Sequence, residues 1–478
     1  MKMPHYDVVV IGCGPAGERA AIQAARAGKQ VAVIERQNVV GGTRVNWGTI
    51  PSKTLRESAL FVHSLTRNKL EGIRCEISDQ ITVDDFMYRE RVVVGRELEI
   101  INEALERYSI EVHRGHGRFV DAHTVTLCGS DGAVLSSMTG DVIVIASGSS
   151  PNRPPDVPFD AECVFDSNTI LRLPRIPRTM LVLGAGVIGV EFASIFAALG
   201  VELTLVDTRD RLLPFLDREI VAILERSLGG LGITTLHNER YATVERLAGE
   251  QPRVRSTTKT GKIFETDALL HCVGRDGNTT DLNLPAIGLK PNDYGLLQVN
   301  EHYQTALPHI YAVGDVIGYP ALASTSMEQG RQAMRHAFNI PGVTSKTEVL
   351  PFAIYSIPEV SYIGETEERL KERRAEYVTG RGNYDMNPRG QIIGDSEGML
   401  KLLFELGSLK LVGAHMIGHG ASELIHIGQA FLRAGATAPQ IAETMYNYPT
   451  LSDLYRHAAL KALQALQRRN AAGPPVTQ

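Results

Sequence analysis

The chain has 478 residues, of which 43% are hydrophobic and 22% charged, enough apolar content for a sizeable core and too much for wholesale disorder. At roughly 100–200 residues per domain, the length predicts about two to four domains. A net charge of -5 lacks the basic excess of a nucleic-acid binder, and five cysteines, an odd number, make no disulfide framework.

The first apolar run, Val8 to Ile11, begins close to Met1 and leads directly into a glycine-rich turn, so no signal peptide is expected. Nowhere are there the roughly 18 consecutive apolar residues of a membrane span, and a soluble cytoplasmic α/β protein is expected. The run feeds Gly12, Gly14 and Gly17, then a helical stretch from Glu18 to Ala27, Gly28, and a second strand from Gln30 to Ile34 that ends at Glu35. Each part has a physical role. The first glycine permits a tight turn, the second lets a diphosphate approach the backbone, and the third lets helix and strand pack closely. The helix N-terminus offers unpaired N–H groups and positive partial charge to that diphosphate. Glu35 is placed to accept hydrogen bonds from a ribose diol.

The same unit returns further along. Met180 to Leu183 reads as a strand, followed by Gly184, Gly186 and Gly189, a helix to about Leu199, Gly200, and a strand from Glu202 to Val206 that ends at Asp207. Gly12, Gly14, Gly17 and Glu35 each match a residue 172 positions later. A second echo pairs Asp141–Gly148 with Asp267–Gly274, 126 positions apart, each an apolar strand ending in glycine. Two complete fingerprints predict two bound dinucleotides. Asp207 favours the adenosine 2′-OH of NAD and repels a 2′-phosphate, whereas Arg209 and Arg211 could pair with that phosphate or simply be solvated.

Between the repeats, Pro151 to Pro158 reads as a linker. Cys13 sits in the first glycine turn and reads as packing. Cys75, Cys128, Cys163 and Cys272 show no paired spacing, and Cys272 is expected to be a buried strand thiol. His415 and His419 are four apart, but Leu409 to Ile417 alternates like a strand, so no metal site is expected. Leu424 to Ala434 and Asp453 to Leu466 read as amphipathic helices, and Gln467 to Gln478 as a frayed tail.

Taken with Gly41-Gly42-Thr43, Ile50-Pro51-Ser52-Lys53, Ala146-Ser147-Gly148-Ser149, Gly274-Arg275 and Tyr311-Ala312-Val313-Gly314-Asp315, the two repeats resemble the flavoprotein disulfide reductase family over nearly the whole chain. The resemblance implies two Rossmann-like dinucleotide-binding domains plus a C-terminal α+β dimerisation domain. FAD would occupy the first unit (1–150 and 278–345) and NAD(H) or NADP(H) the second (151–277). A homodimer interface would follow (346–466), then a flexible tail (467–478). It further implies FAD contacts for Arg36, Gly42, Thr43, Arg44, Thr49, Gly117, Ser147, Gly148, Asp315 and Ala323, a nicotinamide-domain closing role for Gly274, and a pairing of Lys53 with Glu191 beside flavin N5. In that family the flavin site is completed by the partner's C-terminal segment, which implies that Asn447–Asp453 reaches across the dimer.

Two departures bear on chemistry. The family's C-x4-C dithiol falls at Arg44 and Thr49, and neither can form a thiolate. The family's His-Pro-Thr reads Tyr448-Pro449-Thr450, and tyrosine, with an ordinary pKa of about 10, is a poor proton shuttle near neutrality. Disulfide reduction is therefore excluded. The branch without a thiol step implies hydride transfer between NAD(H) and NADP(H) through FAD, although part of that branch keeps a cysteine where Arg44 stands. Two alternatives remain open: an FAD-dependent NAD(P)H dehydrogenase reducing quinones or dyes, and a flavin-bearing redox sensor or scaffold.

Overall fold

In the computed structural model, which describes residues 3–67, 83–249, 251–341 and 350–471, the first apolar run forms the strand His5–Ile11. Cys75 lies outside the described residues. The described chain divides into two compact units, one built from 3–58, 83–175 and 272–341 and the other from 59–67, 176–271 and 350–471.

In the first unit, His5–Ile11 lies parallel to and between Val31–Glu35 and Val134–Ile145. Glu111–Arg114 flanks the former and Ile310–Ala312 the latter, again in parallel. The first half of Val134–Ile145 pairs antiparallel with Thr124–Cys128, which pairs in turn with His116–Phe119. Val8 and Val10 enter one hydrophobic cluster with Ala20 and Ala24 of the helix Pro15–Arg26 and Ile101 and Leu105 of the helix Val83–Arg107. Val9 and Ile11 enter a second cluster with Phe119, Ile143 and Ile145. A strand covered on both faces has no solvent side, which is why its Val8–Ile11 stretch is apolar and does not alternate. The helix Ala323–Ala337 docks on Pro15–Arg26 through Gly330, where a Cβ would fall 2.2 Å from the Ala16 carbonyl oxygen.

The second unit repeats the pattern with the strand Thr179–Leu183, the helix Val187–Ala198 and the strand Glu202–Val206. Thr179–Leu183 runs parallel between Glu202–Val206 and Ala268–His271, with Ile233–Leu236 beyond Glu202–Val206. Ile11 pairs with Ile145 as Leu183 pairs with His271, so both echoes in the sequence fall on neighbouring strands. An antiparallel sheet follows in the order Phe352–Ile354, Val360–Gly364, Leu411–Ile417, Met399–Glu405 and Tyr377–Asn383. The helices Ala421–Ala434 and Leu454–Ala471 contribute to its core. The latter sits close on the sheet at Gly380, where a Cβ would lie 1.8 Å from the Ala458 carbonyl oxygen.

Several expectations shift in detail. The first helix begins at Pro15, three residues early, because a proline's fixed φ suits the first helical position. Cys272 lies just past the end of Ala268–His271 and is half-buried, not within the strand. The last helix continues to Ala471, past the expected start of the tail, and residues 472–478 lie outside the described residues. His415 is buried on the strand Leu411–Ile417, where its Nε2 is 2.7 Å from the Glu365 carbonyl oxygen. Among the described residues no helix is long and apolar enough to cross a membrane.

Candidate cofactor and nucleotide sites

The two glycine turns are built alike. Gly12 and Gly184 adopt φ of +106° and +98°, where an L side chain is strained. Their N–H groups donate to Ile34 and Val206 at 2.7 and 2.8 Å. A Cβ on Gly17 or Gly189 would fall 1.9 Å from the carbonyl oxygen of Gly12 or Gly184, so both positions are closed to any side chain. The middle glycines differ. Gly186 has nothing within 4 Å of a would-be Cβ, and Gly14 meets only the Gly42 Cα, at 3.8 Å. Space is thus left where a diphosphate has to come close to the backbone, and the residues present fit dinucleotides.

The acids at the strand ends are also equivalent. Glu35 accepts from the Cys13 N–H at 2.7 Å and the Gln37 N–H at 2.9 Å. Asp207 accepts from the Ala185 N–H at 2.6 Å and the Arg209 N–H at 2.8 Å. Each carboxylate braces its own turn; Glu35 keeps lone pairs for a ribose, whereas on Asp207 the Arg209 side chain takes the sites that its turn leaves. Arg209 also forks onto Asp207, through Nε at 2.8 Å and Nη2 at 2.6 Å. Burial pushes the Asp207 carboxyl up, but these hydrogen bonds outweigh it and hold it below the ordinary range. Arg211 donates instead to the Pro214 carbonyl, so neither arginine is a simple solvated group.

Three segments converge on the first turn. Gly12 faces the Ala146 carbonyl, Gly42 (φ +55°) faces Gly14, Gly41 donates to the Cys13 carbonyl at 2.8 Å, and Gly314 faces Ala16. The Ser147 hydroxyl there is buried with no hydrogen-bond partner, and Gly148 turns the chain at φ +71°. Asp315 accepts from the Ser149 hydroxyl at 2.9 Å, and Ser149 in turn receives Arg275 Nε at 2.9 Å and Nη2, on its carbonyl, at 2.8 Å. Gly314 is fixed by Gln329 Oε1 at 2.7 Å. The strand Arg275–Gly277 pairs antiparallel with Ser149–Pro151, so Gly274 opens a two-stranded ribbon. Ala323 starts its helix beside this region, whereas Gly117 packs its backbone on Ile11 and Arg36 is exposed next to Glu35.

The remaining candidates are placed as follows. Thr43 and Arg44 lie on the short helix Gly42–Asn46, and Thr49 and Lys53 on Thr49–Arg67. Arg44 is not a solvated loop residue: its side chain is 12% exposed and pairs with Glu18 at 3.1 Å and Glu97 at 3.5 Å. Lys53 Nζ is 3.4 Å from the Ser52 hydroxyl. In the second unit Glu191 is buried and accepts from the Tyr355 N–H at 2.9 Å. Tyr448 is exposed. Burial pushes the Cys13 thiol up to about 12 and raises Cys272 too, so both are poor nucleophiles. The supporting residues Glu18, Glu97, Gln329 and Asn278, which binds the Ser147 carbonyl at 2.9 Å, escaped the sequence reading. Only Glu18 gave a signal, as an acid directly after the third glycine.

The profile of the pyridine nucleotide-disulphide oxidoreductase family matches residues 6–330, and that of its dimerisation domain matches residues 350–459. The chain is 44% identical over 468 residues to a soluble pyridine nucleotide transhydrogenase of Mycobacterium tuberculosis, covering 98% of this chain and 99% of that one. It is 41% identical to a soluble pyridine nucleotide transhydrogenase of Escherichia coli O81, covering 97% and 100%. Among solved structures it is similar to LpdA from Mycobacterium tuberculosis, with a TM-score of 0.87, 26% identity and coverage of 98% and 100%. It is also similar to the HOCl-induced flavoprotein disulfide reductase RclA from Escherichia coli, with a TM-score of 0.84, 26% identity and coverage of 95% and 99%.

Proposed function

Since the chain belongs to the pyridine nucleotide-disulphide oxidoreductase family, we propose that it is a transhydrogenase moving hydride between NAD(H) and NADP(H) by way of bound FAD, as a cytoplasmic homodimer. The observation that carries this reading is the coexistence of two open glycine turns with Arg44 and Thr49 at the positions of the family's dithiol. With no thiol to receive electrons, the acceptor is a second nicotinamide, taken at the Gly184–Gly189 turn after the first has left. The transhydrogenase relatives support the same reading.

Residues 1–150 and 278–345 would hold FAD, 151–277 the pyridine nucleotides, and 346–466 the dimer contact. The Gly12–Gly17 turn, with Glu35, Gly42, Thr43, Ser147 and Asp315, would hold the FAD diphosphate, ribose and ribityl chain. The Gly184–Gly189 turn and Asp207 would take each pyridine nucleotide in turn. Bound FAD would supply the two-electron carrier. Lys53 would place positive charge where negative charge develops, and Glu191 would orient that ammonium. The net reaction consumes and releases no proton, so it needs neither a general acid nor a base, and the tyrosine at 448 carries no penalty.

The test is to mix the purified protein with NADPH and thio-NAD⁺ and follow thio-NADH, with menadione as a parallel acceptor. Rapid thio-NADH formation without quinone is expected. Slow thio-NADH formation beside fast menadione turnover would overturn the proposal in favour of a quinone-type dehydrogenase.

A further inference from the structure

Arg44 does more than vacate a thiol position. Its Nη2 is 3.1 Å from Glu18 Oε2 and its Nη1 is 3.5 Å from Glu97 Oε2, while Arg19 Nη2 is 3.5 Å from Glu18 Oε1. Glu18 is 2% exposed and lies in the first turn of Pro15–Arg26, the helix that closes the Gly12–Gly17 turn. Burial pushes its carboxyl up, Arg44 and Arg19 pull it down, and Glu97 pushes it up again. The helix N-terminus attracts a diphosphate, but an uncompensated carboxylate in the same turn opposes it, and buried charges are weakly screened. The anchor also has a geometric consequence. Arg44 lies on the helix that begins at Gly42, and a Cβ on Gly42 would fall 2.7 Å from the Gly14 Cα, so that helix starts in contact with the turn itself.

We propose that Arg44 is a positioning residue for the flavin dinucleotide: it neutralises Glu18 and holds the Gly42–Asn46 helix against the first helix, so that the anionic diphosphate can seat at the Gly12–Gly17 turn. The proposal rests on the reading of that turn as the FAD site. It gives a physical reason for an arginine here. A buried acid beside an anion site requires a cation, and a thiol could not provide one.

The experiment strips flavin from the full-length protein and titrates FAD back, reading the dissociation constant by quenching of flavin fluorescence, with circular dichroism confirming the fold of each variant. Arg44→Met is expected to raise the dissociation constant by at least about 10-fold, because it leaves the buried Glu18 with only the longer Arg19 contact, at 3.5 Å, to balance it. Arg44→Gln, which keeps a hydrogen-bond donor, is the second neutral variant and is expected to follow it, while Arg44→Lys stays near wild type. Glu18→Gln combined with Arg44→Met is expected to bind FAD more tightly than Arg44→Met alone, though short of wild type because the tether to the first helix is gone. Equal FAD affinity in wild type and both neutral variants would overturn the proposal alone. A double variant as weak as Arg44→Met would overturn it as well. Wild-type protein that takes up no FAD would overturn the reading of the first turn and the proposal with it.

Discussion

A charge that acts only as chemistry proceeds should show itself in rate more than in binding. Lys53→Met is expected to slow flavin reduction by NADH by about 100-fold in stopped-flow absorbance, with little change in FAD content; an unchanged rate would remove Lys53 from the mechanism. Asp207 invites the complementary test. Its two oxygens hold the Arg209 guanidinium at 2.8 and 2.6 Å, so the cation that could meet a 2′-phosphate is already engaged. Asp207→Asn keeps an acceptor for the Ala185 N–H but loses the charge that grips Arg209. The ratio of KM for NADPH to KM for NADH is expected to fall by about 10-fold. Steady-state kinetics with each nucleotide checks it, and an unmoved ratio would mean that this strand end does not read the ribose.

At the scale of the turn and helix, glycines only three residues apart have different tasks. Gly186 has an ordinary φ of -75° and open space, so Gly186→Ala should fold and melt like wild type while raising KM for both pyridine nucleotides. Gly189→Ala puts a methyl 1.9 Å from a carbonyl oxygen and should instead lower stability by about 1–3 kcal/mol, read as a drop in Tm. Both positions were legible beforehand because close packing at 189 and an approaching diphosphate at 186 each call for glycine, and the pattern recurs at a fixed spacing. The acids at 35 and 207 were legible for the same reason. What tethers the site was not. Arg44 meets residues 18 and 97, and Ser149 meets both Asp315 and Arg275, through contacts that no periodicity connects. Arg44 on its own could be read as a solvated residue, and only the acids around it show that it is not.

Across the second unit, a buried lysine fastens the parallel-stranded part, 176–271, to the C-terminal sheet. Lys401, 0% exposed on the strand Met399–Glu405, contacts both oxygens of Asp217 at 2.9 Å, Glu367 at 2.8 Å and Glu219 at 3.0 Å. Asp217 caps the helix Arg218–Gly230, and Arg381 forks onto Glu219 at 2.6 and 2.8 Å. Burial pushes the Asp217 and Glu219 carboxyls up, but their cationic partners outweigh it and hold both below the ordinary range. Carboxylates depressed in the folded state stabilise it above their unfolded pKa, and that contribution is lost as pH falls through the folded value. Lys401→Met is expected to cost about 3–5 kcal/mol at neutral pH. Calorimetry should show the Tm gap between wild type and variant narrowing as pH drops from about 5 to about 2. A gap that stays constant would assign Lys401 to packing alone.

The ribbon formed by Ser149–Pro151 and Arg275–Gly277 has a consequence for how such a molecule could arise and be rebuilt. The chain departs and comes back at adjacent positions, so the intervening 152–274 is a cassette whose two ends are already stapled together. A different coenzyme module spliced between the same two cuts would need no new linker there, and the Arg275–Ser149–Asp315 contacts would stay outside the exchange, but it would have to bring its own partners for the buried Lys401. Recombination between related genes would meet the same permissive seam, which offers new coenzyme pairings while the flavin side of the protein is inherited intact.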